Sequence, residues 1–98
     1  MEIIIKKSIN TTKKFDAIVD GKKISFGDPK YQDFTIHKNE TRKERYIARH
    51  RKNEKWGIEG LNTAGFYSRW VLWNMPTIES SIADLNKRYK DIKFKYVK

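Results

Sequence analysis

The sequence predicts a small α+β domain, and three observations carry that prediction. Apolar and polar residues alternate in the first quarter of the chain and again at its end, the period of a half-buried strand. Between these stretches, apolar residues recur at helical spacing behind three residues suited to N-caps, Asn39, Thr63 and Thr77. Aromatics make up 13% of the 98 residues, well above the content of a disordered basic tail. The expected organisation is one domain over residues 1–98. It has an N-terminal antiparallel meander (strands about 3–27), helices about 40–52, 64–73 and 77–89, and an edge strand about 92–97.

Each element has a local reason. Ile3-Ile4-Ile5 is a β-branched run, and Phe15, Ala17 and Val19 alternate with Asp16, Ile18 and Asp20. Ser8 to Thr12 supplies a turn between these strands. Asp20-Gly21 is a two-residue hairpin signal, because a type I′ turn needs positive φ at both positions. Lys22 to Phe26 returns, and Gly27-Asp28-Pro29 closes the meander. Asn39 caps a helix whose Arg42, Arg45, Arg49 and Lys52 form one stripe, with Tyr46, Ile47 and His50 expected on the other side, packing inward. Thr63 caps a second helix with Phe66, Trp70 and Trp73 at i, i+4 and i+7, expected to be buried nearly all round, and Pro76 follows its end. Thr77 caps the third, on which Ile78, Ile82, Leu85 and Tyr89 form an apolar stripe. Ile92, Phe94 and Tyr96 alternate with Lys93, Lys95 and Val97, an edge strand with a basic face.

The formal net charge is +10, and its distribution matters more than its size. Residues 37–56 hold eight basic residues against three Glu, and residues 87–98 hold six against Asp91. Residues 57–86 hold only Arg69 against Glu59, Glu79 and Asp84. Segregation of this kind suits an electrostatic binding face. If the two basic segments meet on one side they make a single surface. On opposite sides they point to bridging or assembly.

Several function classes are disfavoured. With no cysteine there is no disulfide, thiolate site or thiol nucleophile. The N-terminal apolar run is too short for a signal peptide, no run spans a bilayer and no lipidation motif occurs, so the expectation is a protein neither secreted nor in a membrane. His37 and His50 stand without partners at zinc-site spacing, and no metal or cofactor is expected. Asp16, Asp20 and Lys22 resemble the acid and lysine pattern of Mg²⁺-dependent nucleases, but Asp20-Gly21-Lys22 is also an ordinary hairpin tip, and the turn chemistry is the stronger explanation. Ser68, Ser80 and Ser81 lack a nucleophile elbow, and no phosphate-binding glycine loop occurs. The expectation is a non-enzymatic protein.

Phosphate binding fits better. Lys38, Arg42, Lys43, Arg45, Arg49, Arg51, Lys52 and Lys55, with Lys87, Arg88, Lys93 and Lys95 from the tail, are the candidate nucleic-acid-binding residues. Arginine suits bidentate phosphate contacts. Phe66, Tyr67, Trp70 and Trp73 could stack on bases, but with Arg69 the sole cation among them they read as core.

The strings Phe26-Gly27, Asp33 to Lys38, Arg42 to His50, Thr63 to Trp70 and Leu72-Trp73-Asn74 resemble a family of small basic uncharacterised proteins encoded by large nucleocytoplasmic DNA viruses of algae and amoebae. The likeness covers about residues 24–89, with Thr63 to Asn74 its most specific part. It implies a viral setting, in the virion or in the cytoplasm or nucleus of the host, and assigns no catalytic or binding residue. Within the matching strings Asp33, Thr35, His37, Arg45, His50, Ser68 and Arg69 are polar. They read as a network locking the helices to the preceding loop, ahead of a small polar site.

The leading expectation is therefore a basic viral protein that binds nucleic acid, DNA ahead of RNA, through phosphate contacts. The alternative is a structural virion component, a minor capsid or core protein, binding acidic viral protein surfaces.

Overall fold

The computed structural model describes residues 1–98. Strands β1 (Glu2–Lys7), β2 (Phe15–Val19) and β3 (Lys22–Phe26) form the antiparallel meander. Asp20 and Gly21 join β2 to β3 with φ of 50° and 79°, the double positive φ of a type I′ turn. Strand β4 (Lys93–Val97) runs parallel to β1 and gives the sheet the order β3-β2-β1-β4. The fold is α+β, with β4 at one edge.

Four helices lie between β3 and β4: α1 (Phe34–His37), α2 (Glu40–His50), α3 (Ala64–Tyr67) and α4 (Ile78–Arg88). A 3-10 turn, Ile58–Gly60, precedes α3. Helix α1 is absent from the sequence expectation, which leaves that stretch as a polar loop. It exists because the Asp33 carboxylate accepts the Thr35 amide and hydroxyl, and Lys38 closes it in the left-handed region at φ 54°. Asn39, Thr63 and Thr77 cap α2, α3 and α4, and Thr77 forms a capping box with Ser80.

Two boundaries differ from expectation. Helix α2 stops at His50, so Lys52 sits in the following turn and leaves the stripe. The helix expected over 64–73 is α-helical only to Tyr67 and continues as a π turn, Ser68–Leu72, in which the Trp73 amide donates to the Ser68 carbonyl five residues back. The wider turn moves the buried line to Phe66, Tyr67, Val71 and Leu72. Trp70 and Trp73, expected in the core, are half-buried at its margin.

One face of the sheet makes the core. Ile3 and Ile5, Ala17 and Val19, Phe26 and Phe94 pack against Phe66, Tyr67, Val71, Leu72, Ile82 and Leu85. The alternate residues face away from the helices. Cross-strand register aligns Lys95, Ile4, Ile18 and Lys23 in one row and Val97, Lys6, Asp16 and Ser25 in the next.

Helix α2 lies outside this core and buries only Tyr46. The Tyr46 ring stacks between Trp73 and His50, with centroid distances of 4.5 and 4.4 Å, and Trp56 lies 6.3 Å away. Burial, with the nearby Glu54 charge, pushes the Tyr46 hydroxyl well above the ordinary tyrosine value.

A candidate phosphate-binding cleft

Between α2 and the end of the β2–β3 hairpin lies a cleft of about 660 Å³. Its α2 wall is Arg42, Arg45 and Arg49, with Tyr46 and His50 behind them. Lys13, Lys14 and Gly27 form the opposite wall, and Ser68, Leu72 and Trp73 from the π turn close the end. The arginines and Tyr46 therefore share a side of the helix, against the expectation that they oppose each other. Positions 42 and 46 are one turn apart, so the basic stripe borders the buried line.

The three arginines are exposed, and none belongs to the four ion pairs of the molecule. Lys14 is different. Its ammonium donates to the Tyr31 carbonyl and the Asp33 carboxylate, both at 2.6 Å, and Asp33 is 3% exposed. This buried pair fixes the loop after β3 against the hairpin, and Lys13 beside it remains exposed. His50 approaches Glu54 at 3.6 Å. Gly65 leaves room for that carboxylate, since a Cβ there would overlap the Glu54 side chain. The cleft thus holds acids at Asp28, Asp33 and Glu54. Asp33 is neutralised by Lys14, and the exposed Arg42, Arg45, Arg49 and Lys13 outnumber the remaining Asp28 and Glu54, which leaves the arginine side dominant.

The remaining candidates scatter. Lys38 is exposed, and its ammonium donates to the Thr35 carbonyl. Lys43 turns away from the cleft, bonding the Asn74 carbonyl at 2.7 Å with its ammonium over the Phe34 ring. That half-buried residue is a strut rather than a free cation. Arg51, Lys52 and Lys55 are exposed beyond the end of α2. Lys87 is exposed on α4, and Arg88 pairs with Asp84 at 2.7 Å while lying over the Trp70 ring, as Arg69 also does. Burial and the neighbouring Arg88 charge lower the Arg69 guanidinium from its ordinary value, with Arg51 adding to the effect. Lys93 and Lys95 are exposed on the sheet face that points away from the helices. The tail segment is therefore split: Arg88 joins the helix layer, and the β4 lysines belong to the other side.

Of the polar positions in the matching strings, Asp33, Arg45, His50 and Ser68 meet at the cleft. Thr35 serves the Asp33 cap, and Arg69 donates to the Trp73 carbonyl at 2.9 Å. His37 packs against Trp73 with the rings tilted 56° and accepts the Asn39 amide at Nδ1, which puts its proton on Nε2. Asp16 accepts hydrogen bonds from Ser8 and Ser25 at 2.7 and 2.6 Å and is fully buried, so its oxygens are committed to structure. Asp20 is spent on the hairpin turn.

Sequence reasoning missed Lys13, Lys14 and Tyr31. The hairpin turn carried a signal for one of them. With Asp20-Gly21 at the tip, Phe15 faces Phe26, so Lys14 falls opposite Gly27.

A family of unknown function (DUF5754) matches residues 3–50, just under half of the chain. That segment takes in the meander, α1 and α2, including the basic stripe and both lysines of the cleft. Neither the curated proteins nor the solved structures contain a match to the chain. No helix is long and apolar enough to cross a membrane.

Proposed function

We propose that this protein binds nucleic acid without catalysis, gripping backbone phosphates with the arginine wall of α2. The observation that carries this reading is the alignment of Arg42, Arg45 and Arg49, all exposed and free of ion pairs, along one cleft with Lys13 opposite. Guanidinium groups take phosphate oxygens in bidentate pairs, and a row of them matches a row of phosphates. Such contacts fix position and carry little sequence information, so binding is largely sequence-independent and DNA is the first partner to test. The viral setting belongs to this proposal and rests on the resemblance described above.

Fluorescence anisotropy with a labelled duplex across salt concentrations tests it. Affinity falls steeply with salt, and the triple variant Arg42→Ala/Arg45→Ala/Arg49→Ala loses about 2.7 units of the log–log salt slope, about 0.9 for each phosphate contact. An affinity that stays flat with salt, or a slope the triple variant leaves intact, removes the reading.

A further inference from the structure

The sheet face turned away from the helices carries charge of its own. Lys23 on β3, Lys6 on β1 and Lys93 and Lys95 on β4 share it by register. Lys23, Lys93 and Lys95 are exposed, and Lys6 is half-exposed. The acids on this face are Glu2, registered with Lys93, and Asp16. Asp16 is covered by Ser8 and Ser25, so four lysines stand against one exposed carboxylate.

The spacing is also regular. Lys95, Ile4, Ile18 and Lys23 form one row across all four strands. At about 4.8 Å per strand the two lysines stand roughly 14 Å apart, comparable with the ~12 Å width of a major groove edged by phosphates on both sides. Ile4 and Ile18 between them are half-buried and leave the centre of the row flat.

We infer that this face is a second phosphate-binding surface, for the backbone of a nucleic-acid duplex, and that the protein bridges two duplexes. The inference rests on the α2 reading for the first duplex and on the sheet register for the second. Ser68, Leu72 and Trp73 of the helix layer close the α2 cleft, and the open sheet face is the other side of that layer in a molecule 34 × 29 × 24 Å in extent, so the two surfaces suit two duplexes.

The test is a two-duplex capture. One 30-bp duplex is immobilised, the protein is loaded, and retention of a second, fluorescent 30-bp duplex is measured at about 0.15 M salt. The wild-type protein retains the second duplex. The variant Lys23→Gln/Lys93→Gln/Lys95→Gln still binds the immobilised duplex but retains at least about tenfold less of the second. Its binding to the first duplex shows that it is folded. Wild-type protein that binds one duplex and captures no other overturns the inference. So does a sheet variant that bridges as well as wild type, the result expected if self-association joins two α2 clefts. The α2 triple variant reads the first site separately: with the sheet face alone it binds the immobilised duplex and captures no second one, and if it bridges as well as wild type the α2 reading fails whatever the sheet variant does.

Discussion

The Tyr46 ring lies parallel to the Trp73 indole, with planes 2° apart and centroids separated by 4.5 Å. No other buried residue joins α2 to the rest of the molecule. Stacked aromatic pairs add to simple burial, and here the stack is the main apolar anchor of α2, with the Lys43 strut to Asn74 beside it. An isolated 11-residue helix is marginal in water, so α2 holds its shape because Tyr46 holds its place.

Tyr46→Ala therefore unlocks α2 selectively. The truncation costs about 3–5 kcal/mol of local stability. Amide hydrogen exchange in α2 rises toward that of an open loop, and amides of β1 and β2 stay protected. Protection in α2 equal to wild type contradicts this account.

Gly60 and Gly21 make a paired prediction. A Cβ on Gly60 would lie inside the Lys55 carbonyl, and backbone cannot swing aside as a side chain can. A Cβ on Gly21 meets open space, and only its φ of 79° resists substitution. Gly21→Ala costs about 1 kcal/mol and Gly60→Ala about 2–3 kcal/mol, read as shifts in urea midpoint. The reverse order would mean that the 3-10 turn relaxes freely.

Asp16 governs acid stability at one end of the sheet. Burial by itself raises its carboxyl, but hydrogen bonds from Ser25, Ser8 and the Ile9 amide together outweigh that and hold it below its ordinary value of 3.8. The folded state thus binds the proton less readily than the unfolded chain. The stability that Asp16 contributes is complete above about pH 4 and is lost as pH falls through the folded value. Asp16→Asn costs about 1–3 kcal/mol at pH 6 and removes this part of the decline, so its urea midpoint differs less from wild type at pH 3 than at pH 6. An equal difference at both pH values refutes the assignment.

His37 acts in a higher window. Burial and then the Arg42 charge lower it from 6.5, and its Nδ1 already accepts the Asn39 amide. Between the two values the unfolded chain holds a proton that the folded protein rejects, so stability declines as pH drops below about 6.5. In His37→Phe, which keeps the ring against Trp73, the fall in thermal midpoint from pH 7.5 to pH 5.5 is smaller than in wild type. Equal falls in both proteins would exclude His37 as the source.

Turns and caps are legible in the sequence because their chemistry is local. Asp20-Gly21 dictates its own turn, and Asn39, Thr63 and Thr77 each satisfy backbone donors within three residues. The π turn is not legible, since nothing in Ser68–Leu72 distinguishes it from an α-helix until the core selects Val71 and Leu72. The cleft is half legible. Its arginines follow from spacing, but Lys13 and Ser68 reach them only through the packing of hairpin, loop and π turn. That Tyr46 shares the arginine side was available from one-turn spacing alone.

The parallel pairing of β1 with β4 bears on how the chain is made. Ile3 and Phe94 are partners in register across about 90 intervening residues. During synthesis β1 emerges with its hairpin neighbours and waits for β4 until about 90 further residues have followed. Over that interval its free edge is open to pairing with other nascent chains. Lys6 and Lys7 on that strand are residues that discourage such pairing. Their repulsion protects the unfinished molecule, a service that ends once Lys93 to Val97 dock.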